Sequence, residues 1–349
     1  MKNVIYGLVA IMLLVSLVVG CAAPAPAPAP KPAPTPAPKP APTPAPKPIT
    51  LKTVSFLPIP HPATPGYALF IERVNERSKG ELTLDYLGGP EVIPMFEQGE
   101  ALRTGVIDIN YNVTAFYLSH LPEGDAFPPS EITPMEERER GFYDLMVELH
   151  KEKMNAYYLG RITSNFPYGL ATNIRVETPY DLVGQKFTSS GPVFVPLLNE
   201  LGIVPYVQAI TDMYTSLERG MVDGAAGPAT SFVQFHQYEV CKYWINEPIW
   251  SASNGVLLVN LDTFNKLPKH QQDLLKDVAA EVESELDAMF TEIFEGLYKT
   301  MRDNGVEFIE FSPTDSKWFQ ETTYRVIWEK LEQRVSPEMY AKLRDLVRK

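Results

Sequence analysis

Leu102-Arg-Thr-Gly-Val-Ile-Asp-Ile109 and Leu217-Glu-Arg-Gly-Met-Val-Asp-Gly224 carry the same signals in the same order. Each stretch closes a helix, supplies a glycine suited to a left-handed cap, starts a strand with two apolar residues and places an aspartate behind them. Such an echo predicts two similar halves in one chain with a cleft between them. In sheets of this kind ligands bind beyond the carboxyl ends of the strands, and clefts between domains are favoured sites.

The segments around the echo fit. Strand-like runs at 51–57, 81–87 and 106–110 alternate with helices from Pro65 to Gly80 and from Met95 to Thr104. Thr133-Pro-Met-Glu136 combines an N-cap, a first-turn proline and a capping-box glutamate, so one helix is expected from there to about Lys153. Strands at 156–162, 169–173, 185–188, 203–207 and 255–261 follow, with helices at 192–201 and 212–219 between them. Pro268 opens a long amphipathic helix reaching about Asn304, and Ser312-Pro313 and Ser336-Pro337 start two more behind a strand at 306–311. Alternation with short connections predicts an α/β fold with largely parallel sheets. The expected division is 49–165 with 255–300 as the first lobe and 166–254 with 301–349 as the second.

What precedes residue 49 is not a folded domain. Lys2, an apolar run from Val4 to Val19 and Gly20 before Cys21 have the layout of a secretory signal (residues 1–20). An uncleaved membrane helix is the alternative, but the run stops at the small residue and cysteine. Residues 22–48 set proline at nearly every second position, which removes amide donors and fixes φ. From Cys21 to residue 48 this reads as a spacer, able to hold a domain on the order of 80 Å from its anchor.

Acidic residues number 43 against 31 basic ones, a net charge of −12, and four of the lysines precede residue 49. That balance argues against nucleic acid as a partner. With two cysteines in all, one of them Cys21 at the end of the signal, Cys241 is expected to be unpaired, and a cysteine-based zinc site is excluded. Hydrolase elbows, zinc-protease motifs and phosphate-binding glycine loops are absent, and the five histidines show no ligand spacing. His150 and His270 are expected on solvated helix faces. No cofactor and no metal are called for, and the chain reads as a non-enzyme.

Six segments carry a family resemblance: Phe56-Leu-Pro-Ile-Pro-His-Pro62, Leu87-Gly-Gly-Pro-Glu91, Leu102-Arg-Thr-Gly-Val-Ile-Asp108, Asp181-Leu-Val-Gly-Gln-Lys186, Tyr214-Thr-Ser-Leu-Glu-Arg-Gly-Met-Val-Asp-Gly224 and Leu261-Asp-Thr-Phe-Asn-Lys-Leu-Pro268. In this order, across residues 51–349, they resemble the solute-binding proteins of tripartite ATP-independent periplasmic (TRAP) transporters, of the dicarboxylate-binding type. Val18-Val-Gly-Cys21 likewise resembles a lipobox, implying a lipid-anchored protein on the outer side of the cell membrane. The resemblance implies a two-lobed periplasmic-binding-protein-like fold with hinge strands and a long connecting helix. It also implies a small organic solute as ligand and the TRAP membrane permease subunits as partners. A ligand sensor and an extracellular hydrolase are the other readings.

The pocket departs from the family pattern. The arginine expected after Lys186 is displaced by Thr188, a second one falls on Tyr168, and the usual asparagine falls on Gly227. Two explanations stay open. An uncharged or aromatic solute is held by Tyr168, Tyr117, Trp250 and hydroxyls such as Thr188, or a relocated cation, Arg161, takes a carboxylate. His61 and Glu91 complete the candidates, as groups in loops facing the cleft.

Overall fold

The computed structural model describes residues 48–250 and 254–349. The signal segment, Cys21 and the spacer up to residue 47 lie outside the described residues.

Strands β1 (Ile49–Ser55), β2 (Leu82–Gly88), β3 (Ile109–Val113) and β4 (Ala156–Arg161) lie in one sheet. Strands β5 (Tyr168–Thr172), β6 (Lys186–Ser189), β7 (Val204–Val207), β8 (Gly224–Pro228) and β9 (Tyr243–Trp250) lie in the other. β10 (Gly255–Asn260) returns to the first sheet, ordered β2-β1-β3-β10-β4, and β11 (Glu307–Ile309) to the second, ordered β11-β9-β5-β8-β6-β7. The chain therefore crosses directly between the sheets after β4 and after β9, and crosses a third time, by way of helix, between β10 and β11.

Those crossings correct the expectation of largely parallel sheets. β10 runs antiparallel to β3 and β4, and β5 runs antiparallel to β8 and β9. A strand arriving from the other lobe enters at the cleft edge, so it must run against the strands that end there. Register fixes this edge: Gly255 lies opposite Val113, and Tyr168 opposite both Pro228 and Trp250.

Helices α1 (Pro65–Arg77), α2 (Gln98–Arg103), α3 (Pro134–Arg140) and α4 (Phe142–Met154) serve the first sheet. α5 (Val195–Glu200), α6 (Ile210–Glu218) and α7 (Ala229–Gln234) serve the second. The echoed sequences make the same structure twice. Gly105 (φ 77°) and Gly220 (φ 64°) end α2 and α6 in the left-handed conformation, which costs glycine no Cβ clash. Val106 N–H then reaches back to Ala101 O, and Met221 N–H to Ser216 O, both at 2.9 Å. Finally Asp108 accepts from Lys52 N–H at 2.8 Å and Asp223 from Lys186 N–H at 2.8 Å, tying each repeat to the strand beside it.

The expected helix from Thr133 is two helices. The capping box forms, with Thr133 and Glu136 exchanging hydrogen bonds, but Gly141 at φ 84° breaks the run and redirects α4. His150, on α4, is a second correction. It is buried against Tyr158 and Tyr117 rather than solvated, because α4 lays that face on β4. His270 is exposed and pairs with Glu81 at 2.9 Å.

After β10, α8 (Leu261–Lys266) leads to α9 (Lys269–Asp303), a 35-residue helix about 50 Å long. Its stripe of Leu275, Val278, Val282, Leu286, Phe290 and Phe294 is buried at helical spacing. It packs on α1, α3 and β4 of the first lobe and on α7 of the second, so one rigid rod touches both. The second-lobe assignment of 301–349 meets a mixed outcome: α10 (Pro313–Glu332) lies on β9 but also on Pro122–Ala126 of the first lobe. α11 (Pro337–Val347) does not follow: it buries Leu343 and Val347 in the first-lobe core with Phe127 and Phe142. Cys241 is buried, as expected from its apolar neighbours, and burial pushes its thiol up to about 12.

Candidate functional site

The carboxyl edges of β1, β3 and β4 in one sheet and of β6, β8 and β9 in the other lie on the side where the chain leaves β4 and enters β5. On the first-lobe side, Phe56 follows β1 directly and its ring sits 4.9 Å from Tyr111 and 6.1 Å from Phe116. Phe116, just past β3, meets Phe96 edge-on at 4.7 Å, and Phe96 is 68% exposed. A ladder of buried amides holds this wall from beneath. Gln98 donates to Ser55 O and Ile93 O at 2.9 Å, Asn110 donates to Gln98 at 3.0 Å, and Asn112 donates to Asn110 at 2.8 Å. With every amide satisfied, the ladder fixes where the strand ends stop.

On the second-lobe side Tyr168 and Trp250, opposite one another in register, approach to 5.2 Å between rings. Phe194 stacks on Trp250 at 5.4 Å with an 8° tilt and lies 6.1 Å from Tyr168. Thr188 is on β6, two strands from β5, and its hydroxyl accepts from Gln208 at 2.8 Å while Gln208 accepts from Ser216 at 2.9 Å. At Gly227 an added Cβ would meet nothing within 4 Å, so the wall has a vacancy where the family asparagine is expected.

The remaining candidates are corrections or partial ones. Arg161 is 1% exposed and points away from the cleft into the first lobe. Its Nε donates to Glu137 at 2.6 Å, Nη2 to Ile132 O at 2.7 Å and Nη1 to Thr163 O at 3.2 Å. It is an internal clamp, since α3 presents Glu137 to it. Tyr117 is likewise in the first-lobe core, its hydroxyl 3.0 Å from His150 Nε2. Glu91 is exposed and folds back onto its own turn, accepting from Gly89 N–H at 2.7 Å, and these backbone donors hold its carboxyl below the usual range. His61 accepts from Ala63 N–H at 3.0 Å. Its pKa is lowered by burial, opposed by a hydrogen bond to Gln234 at the end of α7. His61 is therefore where the first-lobe loop meets the second lobe.

So the structure brings Tyr168 and Trp250 together, leaves Thr188 buried two strands away with its hydroxyl on Gln208, sets His61 beside Gln234, and commits Arg161 and Tyr117 to the first-lobe interior. The sequence reading missed Phe56, Phe96, Phe116 and Phe194. Each follows a strand end within a few residues or caps a loop there, a position that the strand assignment alone flags. Among the described residues no group of three or more His, Cys, Asp or Glu side chains is placed to hold a metal ion.

This geometry, two α/β lobes with a hinge and a spanning helix, is found in known proteins. The sequence profile of the bacterial extracellular solute-binding proteins, family 7, matches residues 55–334. The chain belongs to that family. A family 7 relative, the C4-dicarboxylate-binding periplasmic protein DctP of Rhodobacter capsulatus, is 23% identical over 309 residues, which is 82% of this chain and 86% of that protein. A TRAP periplasmic solute-binding protein of Ochrobactrum anthropi superposes with a TM-score of 0.76 at 19% identity, over 86% of this chain and 95% of that one. Another, from Desulfovibrio salexigens with bound orotic acid, gives 0.71 at 18% identity, over 84% and 99%. As a family 7 member the protein is the extracytoplasmic solute-binding subunit of a TRAP-type transporter, capturing a small organic solute.

Proposed function

We propose that the solute sits between the two aromatic walls, that the lobes close on it by bending where the chain enters β5, and that it leaves chemically unchanged for the permease. The observation that carries this reading is the convergence of Phe56, Phe96 and Phe116 with Tyr168, Phe194 and Trp250 at the carboxyl edges of two sheets joined by a hinge. Closure of this kind is a population shift, in which the ligand favours the shut state by its extra contacts there. The histidines support binding over catalysis: His61 is held by Ala63 and Gln234, and His150 is in the core.

A thermal-shift screen of the full chain in detergent, over organic acids, amino acids, sugars and aromatic compounds, tests the site. A ligand at about 100 times its dissociation constant adds roughly 2.7 kcal/mol to stability. Phe96→Ala should weaken the hit about tenfold and leave ligand-free unfolding unchanged, since that ring is mostly solvent-exposed before closure. Full affinity in the variant would put the solute elsewhere.

The anchor belongs to the same proposal. Acyl chains on Cys21 hold the protein at the membrane, and the proline-rich spacer sets its reach. Two or more chains suffice for stable attachment. Cys21→Ser is expected to move the protein from the membrane pellet to the soluble fraction on cell fractionation; a variant that still sediments with membranes would mean the apolar segment itself is the anchor.

A further inference from the structure

The walls restrict the charge of the solute. A carboxylate is bound most strongly by a guanidinium or an ammonium in reach. The loops leaving the carboxyl edges, at 56–64, 89–97, 114–121, 162–167, 190–194, 208–212 and 229–236, contain no lysine and no arginine. The cation adjoining them, Arg161, has its Nε, Nη1 and Nη2 all committed inside the first lobe. What charge these loops do carry is negative, at Glu91, Glu97 and Asp212, on a chain of net charge −12. A carboxylate entering there loses water and gains no opposite charge, which disfavours it strongly. Glu91 for its part is turned onto Gly89 N–H, which weakens it as a partner for a cation.

What both sides hold is aromatic, with Phe96 exposed on one and Phe194 and Trp250 buried at the strand ends of the other. Flat apolar rings gain from offset or edge-on contact with such walls as well as from burial. Resting on the interlobe site proposed above, we infer that the solute is an uncharged molecule with a flat, ring-bearing body. It lies between the Phe56–Phe116–Phe96 wall and the Tyr168–Phe194–Trp250 wall and lacks any carboxylate for the protein to pair. The vacancy at Gly227 belongs to this site: the strand there leaves room for ligand where a larger side chain would stand.

The test is a calorimetric titration of the full chain in detergent with matched ring compounds: benzoate, benzamide and benzylamine, then orotate and its carboxamide. Wild-type protein should bind each amide at least as tightly as its acid. Gly227→Arg fills open space and puts a guanidinium in the wall, so it should raise affinity for the acids at least tenfold. A wild-type preference for the acids beyond threefold overturns the inference, and if Phe96→Ala weakens that acid binding the interlobe site itself still stands. A preference for benzylamine overturns neutrality in favour of a cation. No binding of any of these compounds by either chain overturns the interlobe site along with the inference. Should Gly227→Arg fail to fold, the wild-type ratio of amide to acid decides alone.

Discussion

Arg161→Ala is expected to lower the free energy of unfolding by about 3–5 kcal/mol, a structural loss and not a selective loss of ligand affinity. The guanidinium is closed off from solvent and paired with Glu137 at 2.6 Å, itself 1% exposed. Removing one partner leaves a buried carboxylate without its counter-charge, and leaves Ile132 O and Thr163 O without their donors. The damage spreads through α3, because Glu137 shares that helix with Arg138, which donates to Glu283 of α9 and to Leu159 O of β4 and so joins α3, β4 and α9 in one network. Urea unfolding measures the loss. The double variant Arg161→Met, Glu137→Leu should recover most of it, since well-packed apolar residues often replace a buried pair at little cost. An unchanged urea midpoint together with lost binding of an acidic ligand would return Arg161 to the pocket.

Acidification supplies the second large effect, through His150. Its Nδ1 lies 2.7 Å from Met146 O, which can only accept, so Nδ1 carries the proton and Nε2 accepts from the Tyr117 hydroxyl. The ring is thus held neutral, and burial lowers its pKa from 6.5 to about 4. A folded pKa below the unfolded one means the unfolded chain binds the extra proton first. The contribution is fully present above pH 6.5 and is lost as pH falls toward 4, amounting to about 3 kcal/mol across the window. His150→Phe removes the titrating group, so its stability should fall less than that of wild type between pH 7.5 and pH 4.5 in urea melts. Parallel losses in the two proteins would show that the carboxylates alone set the acid limit.

Much of the fold was legible because its signals are local. A capping glycine, a serine-proline start and a 3.6-residue apolar period each act within a turn or two, and Gly105, Gly220, Ser312 and Ser336 all do as their sequences announce. Gly141 was the exception, hidden inside a pattern that reads as helix on both sides. Strand direction was not legible, since whether β5 and β10 run with or against their neighbours depends on where the chain re-enters a lobe. The site divides the same way. Tyr168 begins a strand and Trp250 and Thr188 end or nearly end one, positions that spacing alone marks. Arg161 could not be excluded from sequence, because its partner Glu137 comes from a helix 24 residues earlier, brought in only by the packing of α3 on β4. Tyr117 failed for a similar reason: one residue from Phe116, it faces the core while its neighbour faces the cleft.

The long helix has a mechanical consequence. Arg161 N–H reaches Glu283, the Ser164 hydroxyl reaches Asp287, and Asn165 reaches Thr291 at 3.3 Å. Glu283, Asp287 and Thr291 fall at successive turns along one side of the rod, so the segment leaving β4 is riveted to it for most of its length. Phe166 continues the row by packing on Phe290 and Phe294, so on this side only Pro167 stands between the riveted segment and β5, a short pin in a door whose leaf is screwed to the frame. Travel of the moving lobe is then set by the protein and not by the cargo. A solute too thin to bridge the walls at the end of that swing gains nothing from the shut state, which makes size a selection criterion alongside charge.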